Sequence, residues 1–171
     1  MSVSDRPSVL TPTFARERPQ DDARVQALIE RAFGPGRFAK AAERLREGNL
    51  ANLDLSLVAW AGDQAVGCVR MWPITVGEAP ALLLGPFAVE DAWRSRGLGG
   101  ELVDRACRGA QAEGHDLVLL VGDESYFGRF GFTAVPPGQV TLPGPADGKR
   151  VLWRSLKGNS VTPSGPVRQR G

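Results

Sequence analysis

A mixed α/β fold, with one sheet flanked by helices, is predicted by the order of elements along the chain. A strand-like segment is followed by two segments of helical periodicity, then by three strand-like runs, and then by a strand–helix–strand unit. Apolar residues at a period of two mark the strands, and those at a period of 3.6 mark the helices. Strands and helices in this order favour a mixed sheet covered by helices.

The first half of the chain supplies an edge strand and two helices. The strand is expected near Val9–Glu17, where Pro12 suits an edge because proline has no N–H to donate. Asp21 can cap the first helix, whose apolar positions have helical spacing: Val25, Leu28, Ile29, Ala32 and Phe33. Gly34-Pro35-Gly36 ends that helix. A second short helix stops near Gly48, with its apolar face at Phe38, Ala41 and Leu45.

The second half begins with a three-stranded meander, whose first turn is Gly62-Asp63, a dipeptide typical of hairpins. The strands of the meander are Leu55–Ala61, Ala65–Val76 and Ala81–Val89. A helix over 97–113, with Leu98, Leu102, Val103, Ala106 and Ala110 on one apolar face, leads to the strand Leu117–Val121. A short helix over 125–130 and a closing hairpin of Phe132–Val135 with Val151–Leu156, around the loop 136–148, complete the core.

The length of the chain and its lack of a targeting segment predict one cytoplasmic domain over residues 1–157. The 171 residues suffice for a single hydrophobic core, and the sequence contains neither a secretory signal nor a membrane-spanning stretch. The net charge of +2 comes from six basic residues after position 148, which leave residues 1–148 at −4. This distribution argues against nucleic-acid binding and suits a cationic amine substrate. Residues 158–171, rich in polar residues, proline and glycine, are expected to be a disordered basic tail.

The cysteines and the histidine exclude several kinds of site. Cys68 and Cys107 fit no C-x-x-C pattern and lie among apolar residues, so we expect both in the core. His115 is the only histidine, which argues against a metal site and against a serine–histidine mechanism. No metal cofactor is therefore expected.

The segment from Leu82 to Gly100 predicts a site for a polyphosphate. Gly97, Gly99 and Gly100 leave backbone N–H groups open at a helix start, and two arginines lie beside them. The phosphate loop G-x-x-x-x-G-K-[ST] does not occur, and the dinucleotide pattern G-x-G-x-x-G has Leu102 where its third glycine belongs. The remaining pattern is R-x-x-G-x-G, formed by Arg94, Gly97 and Gly99.

That pattern resembles the coenzyme A pyrophosphate loop of the GNAT superfamily of N-acyltransferases. About thirty residues later, the string Tyr126-Phe127-Gly128-Arg129-Phe130-Gly131-Phe132 is similar to the short helix and R-x-G-F turn that close the GNAT core. The resemblance covers residues 9–154 and is closest to a bacterial subgroup with a G-D-x-x-Y-[YF]-x-R-F-G-F signature. It implies the GNAT fold, with two splayed central strands, and acetyl-CoA as co-substrate.

By this resemblance, the pantetheine of coenzyme A pairs with the backbone of one strand as an added strand would. The residues that would supply those backbone groups are Phe87, Ala88 and Val89. The phosphates would lie on the loop and helix start that follow, formed by Arg94, Ser95, Arg96, Gly97, Leu98, Gly99 and Gly100. Pro86 predicts a bulge in the strand, which could direct an N–H at the thioester carbonyl.

The candidate catalytic groups are Tyr126, which the resemblance suggests as general acid, and Glu90 as general base, with Asp123 and Glu124 as alternatives for the base. An alkylammonium with a pKa near ~10.4 must lose a proton before it attacks, so a base or a water chain is needed. Tyr126 is the only tyrosine, and Phe127 fills the position of the usual GNAT tyrosine. Because one residue turns a helix by about 100°, this shift puts the role of Tyr126 in question.

The function implied is transfer of an acetyl group from acetyl-CoA to a primary amine of a small molecule or peptide, by direct attack in a ternary complex. A catalytically silent acyl-CoA sensor, a different acyl donor and a hydroxyl acceptor are the alternatives. The loops Gly34–Arg37 and 136–148 are the expected walls of the acceptor site. The closing hairpin could serve as the surface of a homodimer.

Overall fold

The computed structural model describes residues 11–33, 40–157 and 162–170. The strands in chain order are β1 (Thr13–Arg16), β2 (Leu57–Ala61), β3 (Gln64–Val76), β4 (Ala79–Val89), β5 (Leu117–Val121), β6 (Thr133–Ala134), β7 (Val140–Thr141), β8 (Val151–Ser155) and β9 (Gly165–Gln169). The helices are α1 (Asp22–Phe33), α2 (Lys40–Arg46), α3 (Leu98–Ala112) and α4 (Glu124–Phe127), and 3-10 turns include Asp91–Trp93 and Gly128–Phe130. The predicted mixed α/β class is confirmed.

One mostly antiparallel sheet has the order β1-β2-β3-β4-β5-β8-β6. Successive side chains of a strand point to opposite faces, so the neighbouring residues Cys68 and Val69 of β3 belong to different cores. The α1 residues Val25 and Leu28 pack on the face with Cys68, whereas the apolar stripe of α3 packs on the face with Val69. The sheet is therefore covered on both faces by helices whose apolar spacing the sequence shows.

The strands β4 and β5 form a fork. These parallel neighbours pair only through Leu82 with Val118 and through Leu83 with Leu119. Beyond that point β4 continues to Val89 and β5 to Val121 without pairing to each other. The splayed central strands implied by the resemblance are therefore present, and a space opens between their carboxyl ends.

The predicted bulge at Pro86 is also present. Val69 of β3 faces Phe87 and Met71 faces Leu84, so Gly85 and Pro86 together oppose the single residue between them on β3. Gly85 has a φ of +140°, which a residue with a side chain rarely adopts. Trp72 Nε1 donates a hydrogen bond of 2.5 Å to the Gly85 carbonyl and fixes the bulge.

The prediction of a disordered tail is wrong for residues 165–169. These residues form β9, which pairs with Ile74–Val76 at the end of β3 and with the short strand β7 in the loop 136–148. The sequence did not reveal this strand because most of its side chains do not enter the core. Backbone hydrogen bonds to β3 and β7 hold it in place, and Val167 is its one residue buried in the core. The segment uses the part of β3 that β2 leaves free, since β2 pairs only as far as Val69.

Three other sequence predictions involve residues outside the described range. These residues are the first two of the expected strand Val9–Glu17, the loop Gly34–Arg37, and Phe38 of the second helix.

None of the helices within 11–33, 40–157 and 162–170 is both long and apolar enough to cross a membrane.

Candidate active site

A cavity of about 1020 Å³ fills the fork between β4 and β5 and extends to the start of α3. Its walls include most of the residues that the sequence assigned to the cofactor: Phe87, Ala88, Val89, Arg94, Ser95, Gly97, Leu98, Gly99 and Gly100. Arg96 is not among the lining residues, because its guanidinium lies over the Trp93 ring at 5.1 Å. The tertiary structure thus brings the strand and the loop into one continuous wall.

The start of α3 is open to an anion. Gly97, with a φ of +78°, is the N-cap residue and has no side chain that could accept a hydrogen bond from the N–H groups of the first turn. Because the residues from Gly97 to Gly100 line the cavity, these N–H groups and the positive end of the helix dipole are available to a ligand there. Arg94 braces the loop, since its Nε lies 3.3 Å from the Val89 carbonyl and its Nη1 lies 3.0 Å from Asp91.

Tyr126 reaches this helix start from α4. Its hydroxyl covers Gly99 so closely that a Cβ on Gly99 would be 2.4 Å from it and 2.9 Å from the Phe87 ring. The Tyr126 ring centroid lies 5.5 Å from that of Phe130 and 6.0 Å from that of Phe87. Burial raises the pKa of the phenol, and the nearby Arg129 offsets part of that shift. The only tyrosine is therefore a protonated hydroxyl in the cavity at neutral pH.

Phe127 occupies the position of the usual GNAT tyrosine and faces inward. A Cβ on Gly122 would be 2.6 Å from the Phe127 ring, which also packs edge-on against Phe132 and Phe87. The one-residue shift in the motif thus points Tyr126 to the helix start and Phe127 to the end of β5. Both rings line the cavity.

The three candidate bases differ in position. Glu90 forms an ion pair of 3.0 Å with Arg31 of α1 and is not a lining residue. Asp123 lines the cavity and pairs with Arg150 Nε at 3.2 Å, while Glu124 lies outside the lining. The structure does not test which of them acts, so the assignment to Glu90 stays a prediction.

Sequence reasoning missed the residues that α2 brings to the cavity. Arg46 lines it, with its Nη1 3.9 Å from the point that a Cβ on Gly85 would occupy. Ala42, one turn earlier, lines the same wall. The helix was predicted, but a charged residue on its polar side carries no local signal that distinguishes a cavity from solvent.

Both cysteines are buried, as predicted, and neither belongs to the cavity. Burial raises the pKa of the Cys68 thiol to about 12 and that of Cys107 to about 11. Among the residues that the structure describes, no three histidine, cysteine, aspartate or glutamate side chains are grouped to hold a metal ion.

Several known proteins are similar to this chain in sequence and in fold. The model of the acetyltransferase (GNAT) domain family matches residues 52–134. The uncharacterized N-acetyltransferase YhbS of Escherichia coli K12 is 33% identical over 119 residues, which are 68% of this chain and 70% of that protein. The crystal structure of E. coli YhbS in complex with CoA matches with a TM-score of 0.80 and 25% identity, covering 94% of this chain and 91% of that one.

A GNAT acetyltransferase from Brucella melitensis in complex with acetyl-CoA matches with a TM-score of 0.70 and 26% identity, over 95% of this chain and 97% of that one. These similarities are consistent with the R-x-x-G-x-G motif, with the fork between β4 and β5 and with the open start of α3. The chain therefore belongs to the GNAT family of N-acetyltransferases.

Proposed function

We propose that this protein transfers an acetyl group from acetyl-CoA to a primary amine of a small molecule or peptide, in a ternary complex. The observation that carries the proposal is the continuous cavity that joins the open start of α3 to the bulged strand β4. The likeness to structures holding CoA and acetyl-CoA supports the same donor here.

The donor would lie along the wall from α3 to the bulge. Its pyrophosphate fits the N–H groups of Ser95 to Gly100, because anions bind where a helix start presents uncapped donors. Its pantetheine fits beside the backbone of Phe87–Val89, which β5 does not pair. The thioester would then reach the bulge at Gly85–Pro86, where the strand ladder is interrupted.

The acyl transfer needs a neutral amine and a protonated leaving thiol. Tyr126 is the proposed proton donor to the thiolate, since burial keeps its phenol protonated. Because its hydroxyl lies over Gly99 at the start of α3, the proton would reach a thiolate at the bulge through water. Glu90 is the proposed base and would act through water, because its carboxylate pairs with Arg31 outside the cavity lining. Asp123 is the alternative base, on the opposite side of the fork.

A silent acyl-CoA sensor is the second candidate function. It is favoured by Phe127 at the position of the usual GNAT tyrosine, because a phenyl ring cannot donate a proton to the thiolate. A sensor would bind acetyl-CoA but release no free thiol with any amine, so turnover separates the two functions.

The first experiment is calorimetric titration with acetyl-CoA, followed by an assay of free thiol released with a panel of amines. Gly99→Arg should abolish binding, because its side chain would fill the cavity at the helix start. Gly148→Arg is the matched control, since Gly148 is exposed, does not line the cavity and has no atom within 4 Å of a Cβ. Unchanged binding by Gly99→Arg, or no binding by the folded wild-type protein, would contradict the proposed donor site.

A further inference from the structure

Arg46 places a cation on the wall of the cavity. The guanidinium is half-buried and forms no hydrogen bond or ion pair with any residue that the structure describes. Burial lowers its pKa, Glu43 partly offsets that shift, and the charge of Arg70 adds to the lowering. A desolvated cation beside a second cation is unfavourable unless an anion joins it.

Several charged groups nearby already have ionic partners. The Arg70 guanidinium pairs with Glu17 at 2.7 Å and with Asp22 at 3.0 Å. The two acids that line the cavity also have partners, since Asp123 pairs with Arg150 and Glu101 pairs with an arginine on its own helix. Of the four arginines that line the cavity, Arg94 and Arg150 pair with aspartates, and the Arg129 guanidinium lies over the Tyr126 ring at 5.0 Å. Arg46 is attracted only by Glu43 of its own helix among the described residues, so its guanidinium is available to an incoming ligand.

The position of Arg46 is fixed by contacts distant in sequence. The Asn49 amide joins the end of α2 to β3 by a hydrogen bond of 3.0 Å to the Pro73 carbonyl. The Gln169 amide of β9 donates to the Arg44 carbonyl at 3.0 Å. The strand β9 therefore helps to place the last turn of α2, and with it the Arg46 guanidinium, against the bulge.

The position of Arg46 in the cavity indicates which part of the bound substrates its guanidinium would contact. Gly85 precedes Val89 by four strand residues, or on the order of 13 Å, so Arg46 lies far from the helix start that suits the phosphates. It lies instead beside the bulge, where the proposed function puts the thioester. The acetyl group there is neutral and the acceptor amine is a cation, so neither would neutralise a guanidinium.

We propose that Arg46 binds a carboxylate of the acceptor, so that the amine substrate is an amino acid or a similar amine with a carboxylate close to its amino group. This inference rests on the proposed function. A guanidinium and a carboxylate can form two parallel hydrogen bonds, which would orient the amine towards the thioester. The charge of Arg46 also favours the neutral form of the amine that attacks.

The test compares amines that differ only in the carboxylate: lysine with 1,5-diaminopentane, and phenylalanine with its methyl ester. The wild-type protein should show a kcat/KM about 10- to 100-fold higher for the carboxylate member. Arg46→Gln should abolish that preference and Arg46→Lys should keep part of it, while both retain the Kd for acetyl-CoA. Arg108→Gln is the charge-matched control, because Arg108 is exposed on α3 and pairs with Asp104 there.

Each outcome bears on one proposal. Failure of the wild-type protein to bind acetyl-CoA would overturn the proposed function itself. Binding of acetyl-CoA with no preference for the carboxylate amines, or with no turnover of them, would overturn the role of Arg46. An equal loss of kcat in Arg46→Gln for both members of a pair would also overturn it, because it would indicate contact with the transition state. Thermal unfolding of each variant shows whether the fold is retained.

Discussion

Replacing Gly99 by alanine tests whether the Tyr126 hydroxyl covers the first turn of α3. The added methyl would lie 2.4 Å from that hydroxyl and 2.9 Å from the Phe87 ring, whereas ordinary contact begins at 3.4 Å. The Tyr126 hydroxyl must therefore move by about 1 Å, the difference between the two distances. Overpacking of this kind costs about 1–3 kcal/mol, and the better helix propensity of alanine returns up to about 1 kcal/mol.

The expected net loss in the free energy of unfolding is about 0–3 kcal/mol. Gly109→Ala is the matched control on the same helix, because a Cβ there meets only Leu55 Cδ2 at 3.9 Å. It should stabilise the protein by about 0.5–1 kcal/mol. Urea denaturation of both variants, with equal m-values, measures the difference. A Gly99→Ala variant as stable as Gly109→Ala would refute the close contact.

A double-mutant cycle tests whether contact with the Tyr126 hydroxyl causes the destabilisation by Gly99→Ala. Tyr126→Phe removes the oxygen nearest to the added methyl, so it should cost less in the Gly99→Ala background than in the wild type. The coupling free energy should be at least about 0.5 kcal/mol, as for residues in direct contact. Additive effects would mean that the two groups do not touch.

Three further expectations follow from the buried and reacting groups. Tyr126→Phe should lower kcat by about 100-fold or more, with the Kd for acetyl-CoA nearly unchanged, and a smaller loss would exclude the phenol as the general acid. Arg70→Leu should lower the free energy of unfolding by about 3–5 kcal/mol, since it leaves the buried Glu17 carboxylate without its guanidinium, and urea denaturation would detect it. Neither Cys68 nor Cys107 should react with a thiol reagent at pH 8 until the protein unfolds, because burial raises their pKa values to about 12 and about 11; reaction in the folded state would contradict that burial.

Local patterns were sufficient to predict most of the elements and the strand and loop that line one wall of the cavity. The apolar spacing of α1 and α3 was confirmed by the residues buried on each face of the sheet. Pro86 predicted the bulge because a residue without an N–H cannot continue a ladder. The glycines from Gly97 to Gly100 predicted the open helix start because they carry no side chain to cover the N–H groups. Each of these features depends on residues close together in the chain.

Only the tertiary structure decided the contacts between segments that are distant in the sequence. Gln169 meets Arg44 across 125 residues, and Glu90 meets Arg31 across 59. No local pattern specifies such contacts, because they depend on how α1, α2 and β9 dock on the sheet. The sequence by itself thus determined the family and predicted the residues of the donor site. The packing of α2 against the bulge decided that Arg46 faces the proposed position of the acceptor, since a side chain on a polar helix face becomes part of a cavity only when another element closes over it.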